Sequence, residues 1–165
     1  MPYTMKIYCD GGCRGNGKPN PIGAAAIIFK KEKKTWRGAH AVALPSRPRP
    51  TNQRAELLAI TIALEKALQK YNSLKRSPLL ELTIRTDSDY SVRCMNEWIP
   101  KWRANGWKNS RGREVANRDL IEKADAYHDR LSVEGDVTFE WVSRDSNRKA
   151  DELVNNALDM IEDGI

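Results

Sequence analysis

The sequence has few of the residues that build disulfide frameworks or metal sites of thiols and imidazoles. It contains three cysteines and two histidines among 165 residues. The odd number and the spacing of Cys9, Cys13 and Cys94 do not suggest a disulfide framework, and we expect a reducing, intracellular compartment. A zinc knuckle on Cys9 and Cys13 lacks the second pair of cysteines or histidines that would complete a four-ligand site.

Long apolar runs are also missing. The longest strongly apolar stretch is IGAAAIIF at 22–29, whereas a membrane-spanning helix needs about 20 such residues. The initial MPYTMK runs straight into a predicted strand and has no signal-peptide core. There is no internal repeat or low-complexity tract. We therefore expect residues 1–165 to form a single domain with its own core and no membrane partner.

What the sequence has in excess is positive charge. Lysine and arginine number 28 against 22 acidic residues, so the net charge is +6 and the pI is about 9.3. Such a balance points toward a polyanionic partner, although charge alone says nothing about the fold.

Hydrophobic periodicity and breakers divide the chain into ten elements. Alternating or β-branched runs predict strands at 5–10, 22–30, 35–44, 79–88 and 136–143, with a lysine-rich hairpin turn at 30–34. Helical patterns cover 52–71, 89–102, 117–132 and 147–163, with an interruption near Pro100. Thr51 is the natural N-cap of the long helix. The order β-β-β-α-β-α-α-α-β-α predicts an α/β fold with a mixed five-stranded sheet and helices on both faces.

Four acidic residues fall where these elements would converge. Asp10 and Asp87 end strands, while Glu56 and Asp151 lie in the first turns of helices. Sites in α/β sheets form outside the carboxyl ends of the strands, where helix N-termini also point. Four carboxylates gathered there would repel one another unless cations neutralised them. Hard oxygen ligands favour Mg²⁺ or Mn²⁺, and two such ions suit phosphodiester displacement.

Each acid also has a simpler interpretation when it is taken singly. Asp10 and Asp87 are typical turn formers, Glu56 is a favourable charge near a helix N-terminus, and Asp151 is an ordinary solvated helical residue. The glycines after Asp10 could cradle a phosphate, but the GKS/T sequence of a P-loop is absent. Only the joint placement of the four acids indicates a metal site.

Four motifs in this order resemble the type 1 ribonuclease H family: YCDGG, TNQRAELLAI, IRTDSDY and NRKADEL. The stretch EWIPKWRANGWKNSRGREVANRDL resembles the basic protrusion, or handle, of cellular members. The resemblance covers about residues 5–158, and TNxRAELxA followed by TDS is its most specific part. It implies the ribonuclease H-like fold and endonucleolytic cleavage of the RNA strand of RNA–DNA hybrids, leaving 5′-phosphate and 3′-hydroxyl ends.

The resemblance also implies roles for the four carboxylates. Asp10 would bridge two Mg²⁺ ions, for which Mn²⁺ is a substitute. Glu56 and Asp87 would hold the ion that activates the attacking water, and Asp151 would help to hold the other. No side-chain nucleophile and no small-molecule cofactor are expected.

Substrate contacts follow from the same resemblance. The positions that match RNA-binding residues are Gly11, Gly12, Cys13, Asn16, Asn52 and Gln53, of which Asn16 and Gln53 would read the 2′-hydroxyl. The positions that match the pocket for a DNA phosphate are Arg49, Thr51 and Asn117.

The handle, taken as residues 93–118, combines charge and aromatic residues. It has seven basic residues against two acids, and three of the five tryptophans. Lys101 and Lys108 are expected to contact DNA. Trp98 and Trp102, which share a helix face, could form a platform against the DNA or part of a small local core. For Trp107 the local core is the favoured interpretation. Such charge predicts salt-dependent binding.

One departure from the family concerns a histidine. Many members carry a histidine in a flexible loop before the last helix, where it is thought to help product release. Here that connection is VSRDSNRKADEL, which has none, and neither Arg144 nor Asp145 can be assigned a role from the sequence. His40 and His128 are expected to be structural or surface residues. We therefore expect active chemistry, with a turnover and a metal preference that can differ from those of members that have the histidine.

Two rival functions are compatible with a ribonuclease H-like fold or a basic surface. One is another ribonuclease H-like nuclease that acts on DNA, and it would lack the TNxRAELxA and TDS pair. The other is a hybrid-binding module without catalysis, which a missing acid would favour. We expect a monomer, since the handle is polar and no coiled-coil pattern is present.

Overall fold

The computed structural model describes residues 1–32 and 35–164. Its strands are β1 (Tyr3–Arg14), β2 (Ile22–Glu32), β3 (Thr35–Ala43), β4 (Leu80–Thr86) and β5 (Gly135–Trp141). Its helices are α1 (Asn52–Asn72), α2 (Asp89–Arg93), α3 (Ile99–Asn105), α4 (Arg118–Ser132) and α5 (Arg148–Glu162). A π-helical turn (Cys94–Trp98) joins α2 to α3, and a 3₁₀ turn (Arg144–Asn147) precedes α5. The predicted turn at 30–34 lies partly outside the described residues.

The sheet is mixed and five-stranded, as the sequence predicts. Its strand order is β3-β2-β1-β4-β5. The first three strands pair antiparallel, and β1, β4 and β5 run parallel. The main core fills one face, where α1 and α4 pack, while α5 covers part of the other. Helices on both faces confirm the predicted architecture.

The residue pattern of β1 explains how one strand serves both layers. Met5, Ile7 and Cys9 belong to the main core beneath α1. Tyr8 packs against Ala150 of α5 instead, because successive side chains of a strand point to opposite sides of the sheet. β2 is buried on both faces, as expected from its run of small and branched residues. β3 forms the exposed edge of the sheet.

The interruption predicted near Pro100 is present as the π-helical turn (Cys94–Trp98), and Pro100 follows it in the first turn of α3. One boundary differs from the sequence-based expectations. Cys13 lies within β1 rather than in a loop. Within the part of the chain that the structure describes, no helix combines the length and apolarity needed to cross a membrane.

Candidate active site

The four predicted carboxylates line one cavity of about 380 Å³. Asp10 lies on β1 just beyond the last pair of the β1–β4 ladder, Cys9 with Thr86. Asp87 follows the end of β4, where the two strands separate. Glu56 comes from the start of α1, and Asp151 from the start of α5. The cavity therefore sits at the carboxyl end of the parallel strands, where the sequence placed it.

Serine 88 holds one of these carboxylates in place. The Ser88 hydroxyl donates a hydrogen bond of 2.7 Å to Glu56 Oε2. Ser88 Oγ also accepts a hydrogen bond from the Ser91 N–H and so caps α2. Ser88 is buried, and sequence reasoning did not single it out. The only available signal was its place in the TDS motif, directly after Asp87.

Burial and the charges of neighbouring acids make three of the carboxylates, Asp10, Glu56 and Asp87, resist ionisation. Asp10 is 6% exposed, and burial, together with the charges of Asp87 and Asp151, raises its pKa to about 8. Burial also raises the pKa of Glu56 and of Asp87. The positive charge of Arg144, which lines the same cavity, opposes the rise for both.

The chemistry of this donor set fits a hard divalent cation. The acids supply oxygen ligands only, and such ligands suit Mg²⁺ or Mn²⁺. A cation would also offset the repulsion that raises the pKa of Asp10. Among residues 1–32 and 35–164, however, no three acidic, imidazole or thiol side chains are already grouped as a metal cluster. The carboxylates share the cavity without forming a preassembled cage.

A zinc site on the first two cysteines does not fit this structure. Cys9 and Cys13 are four residues apart on one strand, which separates them by about 13 Å at 3.3 Å per residue. Cys9 is buried in the main core, and both thiols are free.

The predicted RNA-side residues form a connected group beside the carboxylates. Asn16 Oδ1 accepts a hydrogen bond of 3.1 Å from the Asn52 N–H, and Asn52 Oδ1 accepts one of 3.0 Å from the Cys13 N–H. These bonds join the end of β1 and its loop to the start of α1. Gly11 packs against the backbone of Ala55 in α1, so its lack of a side chain is required by the fold.

A second cavity brings RNA-side and DNA-side positions together. It is lined by Asn16, Gln53, Thr51 and Asn117, among others. Thr51 also performs its predicted capping role, since its hydroxyl accepts from the Arg54 N–H at 3.0 Å. Arg49 lies in the exposed proline-rich segment and is not among the residues that line this cavity.

Asn117 is held by a network that the sequence did not reveal. Its side-chain oxygen accepts from Arg54 at 3.4 Å, and its amide nitrogen donates to the Tyr90 hydroxyl at 3.1 Å. Arg54 in turn donates two hydrogen bonds to Asp119, of 3.0 and 2.8 Å. This pairing lowers the pKa of Asp119. Arg54 therefore links the start of α1 to the start of α4.

The charges of the handle fall into two groups. Arg93, Arg103 and Arg118 form ion pairs with nearby carboxylates, and Arg103 bonds both Asp125 and Asp129 of α4. Four exposed residues have no ion-pair partner within the described chain: Lys101, Lys108, Arg111 and Arg113. Arg103 thus anchors the handle, and the second group presents its charge to solvent.

The handle tryptophans pack on one another. The Trp98 and Trp102 rings lie 5.8 Å apart, and the Trp102 and Trp107 rings 6.0 Å apart. All three are partly buried against the main core. This packing favours the local-core interpretation for all three, while a DNA platform on Trp98 and Trp102 stays a prediction.

The connection before α5 is short and lacks a histidine, as the sequence shows. It contains the 3₁₀ turn, in which Asp145 pairs with Arg148 at 3.5 Å. His128 is half-buried edge-on against Phe139, with the rings 5.1 Å apart, and His40 is exposed on β3. Both histidines lie outside the residues lining the carboxylate cavity.

Comparison with known proteins gives a consistent picture. The family model "RNase H" matches residues 2–159. A ribonuclease H of Pseudomonas putida is 32% identical over 165 residues, covering 98% of this chain and 97% of the relative. A ribonuclease H of Francisella tularensis subsp. novicida is 37% identical over 155 residues, covering 92% and 88%.

Solved structures share the fold. LC11-RNase H1 in complex with RNA/DNA hybrid has a TM-score of 0.66 and 27% identity, over 95% of this chain and 98% of that one. A foamy viral protease-reverse transcriptase in complex with RNA/DNA hybrid has a TM-score of 0.76 at 21% identity, over 94% of this chain and 20% of that one. The second likeness concerns the fold alone.

Proposed function

Because the chain belongs to the ribonuclease H family of enzymes, we propose that it hydrolyses the RNA strand of RNA–DNA hybrids by a two-metal mechanism. The products would carry 5′-phosphate and 3′-hydroxyl ends. The observation that carries the proposal is the cavity in which four carboxylates meet on a chain of net charge +6. We also propose that residues 1–165 act as one catalytic domain with the handle inside it.

The carboxylates would hold two Mg²⁺ ions, with Mn²⁺ as a substitute. Asp10, the most buried of the four, would contact both ions; Glu56 and Asp87 would hold one and Asp151 the other. Such ions, when bound, lower the pKa of a water and stabilise the leaving oxygen. The protein's part is to orient the oxygens, which Ser88 does for Glu56 through its 2.7 Å hydrogen bond.

Recognition of the RNA strand would come from the group beside the cavity. Asn16, Asn52 and Gln53 present amides that can donate to or accept from a 2′-hydroxyl. The backbone at Gly11–Cys13 lines the carboxylate cavity and would lie along the same strand. The hydrogen bonds from the Cys13 N–H to Asn52 Oδ1 and from the Asn52 N–H to Asn16 Oδ1 fix these groups relative to Glu56, which is one turn further along α1.

Recognition of the DNA strand would use the second cavity and the handle. Thr51 and Asn117 line that cavity and would contact a DNA phosphate. Arg49, two residues before Thr51 and exposed, would contribute its charge to the same strand. The exposed charges of the handle, including Lys101 and Lys108, would extend the contact through counterion release. Trp98 and Trp102 would support this surface by their packing.

The substrate preference can be tested with a labelled RNA–DNA hybrid, duplex RNA and duplex DNA of one sequence. We expect cleavage of the RNA strand in the hybrid only. Cleavage of duplex DNA would favour the rival DNA nuclease. Tight binding of the hybrid in Mg²⁺ without any cleavage would favour the non-catalytic module, and either result would overturn the proposal.

Neutralising Lys101 and Lys108 together should weaken binding to the hybrid. Each lost phosphate contact reduces the slope of log K against log salt concentration by about one. We therefore expect the double variant Lys101→Gln/Lys108→Gln to flatten that slope by about one to two, measured by fluorescence anisotropy. The control is Lys75→Gln/Arg76→Gln, which removes the same charge from exposed positions of the α1–β4 connection. Equal slopes for the two double variants would assign the handle a structural role only.

A further inference from the structure

One buried amide is used by neither the proposed chemistry nor the capping of a helix. Asn147 is 1% exposed and immediately precedes α5. Asparagine at this position usually caps the helix with its side chain. Here its side chain makes no capping hydrogen bond. The amide therefore has another role.

That side chain reaches the strand that carries Asp10. Asn147 Nδ2 donates a hydrogen bond of 2.9 Å to the backbone carbonyl of Cys9. Cys9 and Thr86 form the last pair of the β1–β4 ladder, and the Thr86 carbonyl accepts from the Val142 N–H at 2.9 Å. Asn147 thus bonds β1 at the point where β1 and β4 separate, next to Asp10.

The same hydrogen bond lies between the elements that carry the carboxylates. Asp151 follows Asn147 by four residues on α5. The bond from Asn147 to Cys9 therefore joins the start of α5 to the end of β1, beside Asp10 and beside the end of β4 that precedes Asp87.

Stability alone does not explain an amide at this place. Asn147 Oδ1 is buried and has no hydrogen-bond partner within the described residues. A buried acceptor without a donor costs about 1–3 kcal/mol. Groups of this kind in native structures call for an explanation, and a role in positioning the site is one.

We propose that Asn147 is a positioning residue that sets the separation of Asp10, Asp87 and Asp151 for divalent cations. It acts through the Cys9 carbonyl and the start of α5 and does not itself contact the ions. The inference rests on the proposed function of the carboxylate cavity. Partners of this kind, one step removed from the metal, commonly change metal affinity or activity by about 10–100-fold when they are replaced.

The test compares Asn147→Ala and Asn147→Leu with the wild type. Alanine removes the donor to Cys9, and leucine removes it while keeping a branched side chain of the same length and adding no charge. The measurements are Mn²⁺ affinity by calorimetry without substrate, kcat and KM on the hybrid in Mg²⁺, and Tm. The matched controls are Asn156→Ala and Asn156→Leu, at an exposed position of α5 without a side-chain hydrogen bond among the described residues.

We expect both Asn147 variants to lose about 10–100-fold in Mn²⁺ affinity and in kcat, with KM within about threefold of the wild type. The Asn156 variants should behave like the wild type. If Asn147→Ala does not fold, Asn147→Leu carries the test because it leaves no cavity and adds no charge. A lowered Tm with unchanged Mn²⁺ affinity and kcat would overturn the inference. A wild type that neither cleaves the hybrid nor binds Mn²⁺ would instead overturn the proposed function.

Discussion

Asp10→Asn should lower the rate of hybrid cleavage by about a thousandfold or more while leaving hybrid binding intact. The reason is that Asp10 is the most buried of the four acids and the one proposed to contact both ions. Loss of several kcal/mol of charge stabilisation in the transition state corresponds to about three factors of ten in rate. Single-turnover cleavage with Mg²⁺ and anisotropy binding in the same buffer measure the two effects separately.

The control for this variant is Asp145→Asn, an exposed carboxylate in the neighbouring 3₁₀ turn that does not line the cavity. It should cleave at nearly the rate of the wild type. Near-normal cleavage by Asp10→Asn would remove Asp10 from the proposed metal site. Loss of cleavage together with unfolding would be recognised by circular dichroism.

The same variant should be more stable than the wild type in EDTA at high pH. The folded-state pKa of Asp10 is raised to about 8 from an ordinary value of 3.8. A group with a raised folded-state pKa contributes full stability below its unfolded pKa, and loses it as pH rises through the folded pKa. The wild type should therefore lose stability relative to Asp10→Asn between about pH 4 and pH 8. If the difference in Tm between Asp10→Asn and the wild type is the same at pH 4 and at pH 8, the electrostatic description of the cavity is contradicted.

Gly11→Ala should destabilise the fold by about 3 kcal/mol or more, because an added methyl group cannot be accommodated. A Cβ at this position would overlap the backbone carbonyl of Ala55 and the backbone nitrogen of Glu56. Only a shift of α1 away from β1 relieves such a clash, and that shift moves the Glu56 carboxylate. Urea denaturation gives the free energy of unfolding, and cleavage of the hybrid should fall with it.

The next residue provides the comparison for that loss. A Cβ at Gly12 would lie 3.1 Å from a methyl of Val154 and 3.7 Å from one of Leu158. Both are ends of flexible side chains, so Gly12→Ala should cost about 1 kcal/mol or less. If Gly11→Ala and Gly12→Ala have the same free energy of unfolding, the close approach of α1 to Gly11 does not exclude a side chain at position 11.

Periodicity was enough to predict the sheet and the cavity. The alternation in β1, the small residues of β2 and the capping signal at Thr51 each act locally, so they can be recognised in the sequence. Asp10 and Asp87 end strands that run parallel, and this alone brings them to one edge of the sheet.

Contacts between distant residues could not be predicted in this way. The bond from Asn147 to Cys9 spans 138 positions, and that from Ser88 to Glu56 spans 32. Arg103 is one of the seven basic residues of the handle, but it is paired with Asp125 and Asp129 of α4. Such pairings depend on how the elements pack, and no local pattern encodes them.

The most direct test of the proposed chemistry is cleavage of one hybrid labelled on both strands, with Mg²⁺ and then with excess EDTA. The carboxylate cavity predicts that only the RNA strand is cut, that its fragments carry 5′-phosphate and 3′-hydroxyl ends, and that EDTA stops the reaction. Cleavage that continues in EDTA, or fragments with 2′,3′-cyclic phosphate ends, would contradict a metal-dependent site at Asp10, Glu56, Asp87 and Asp151.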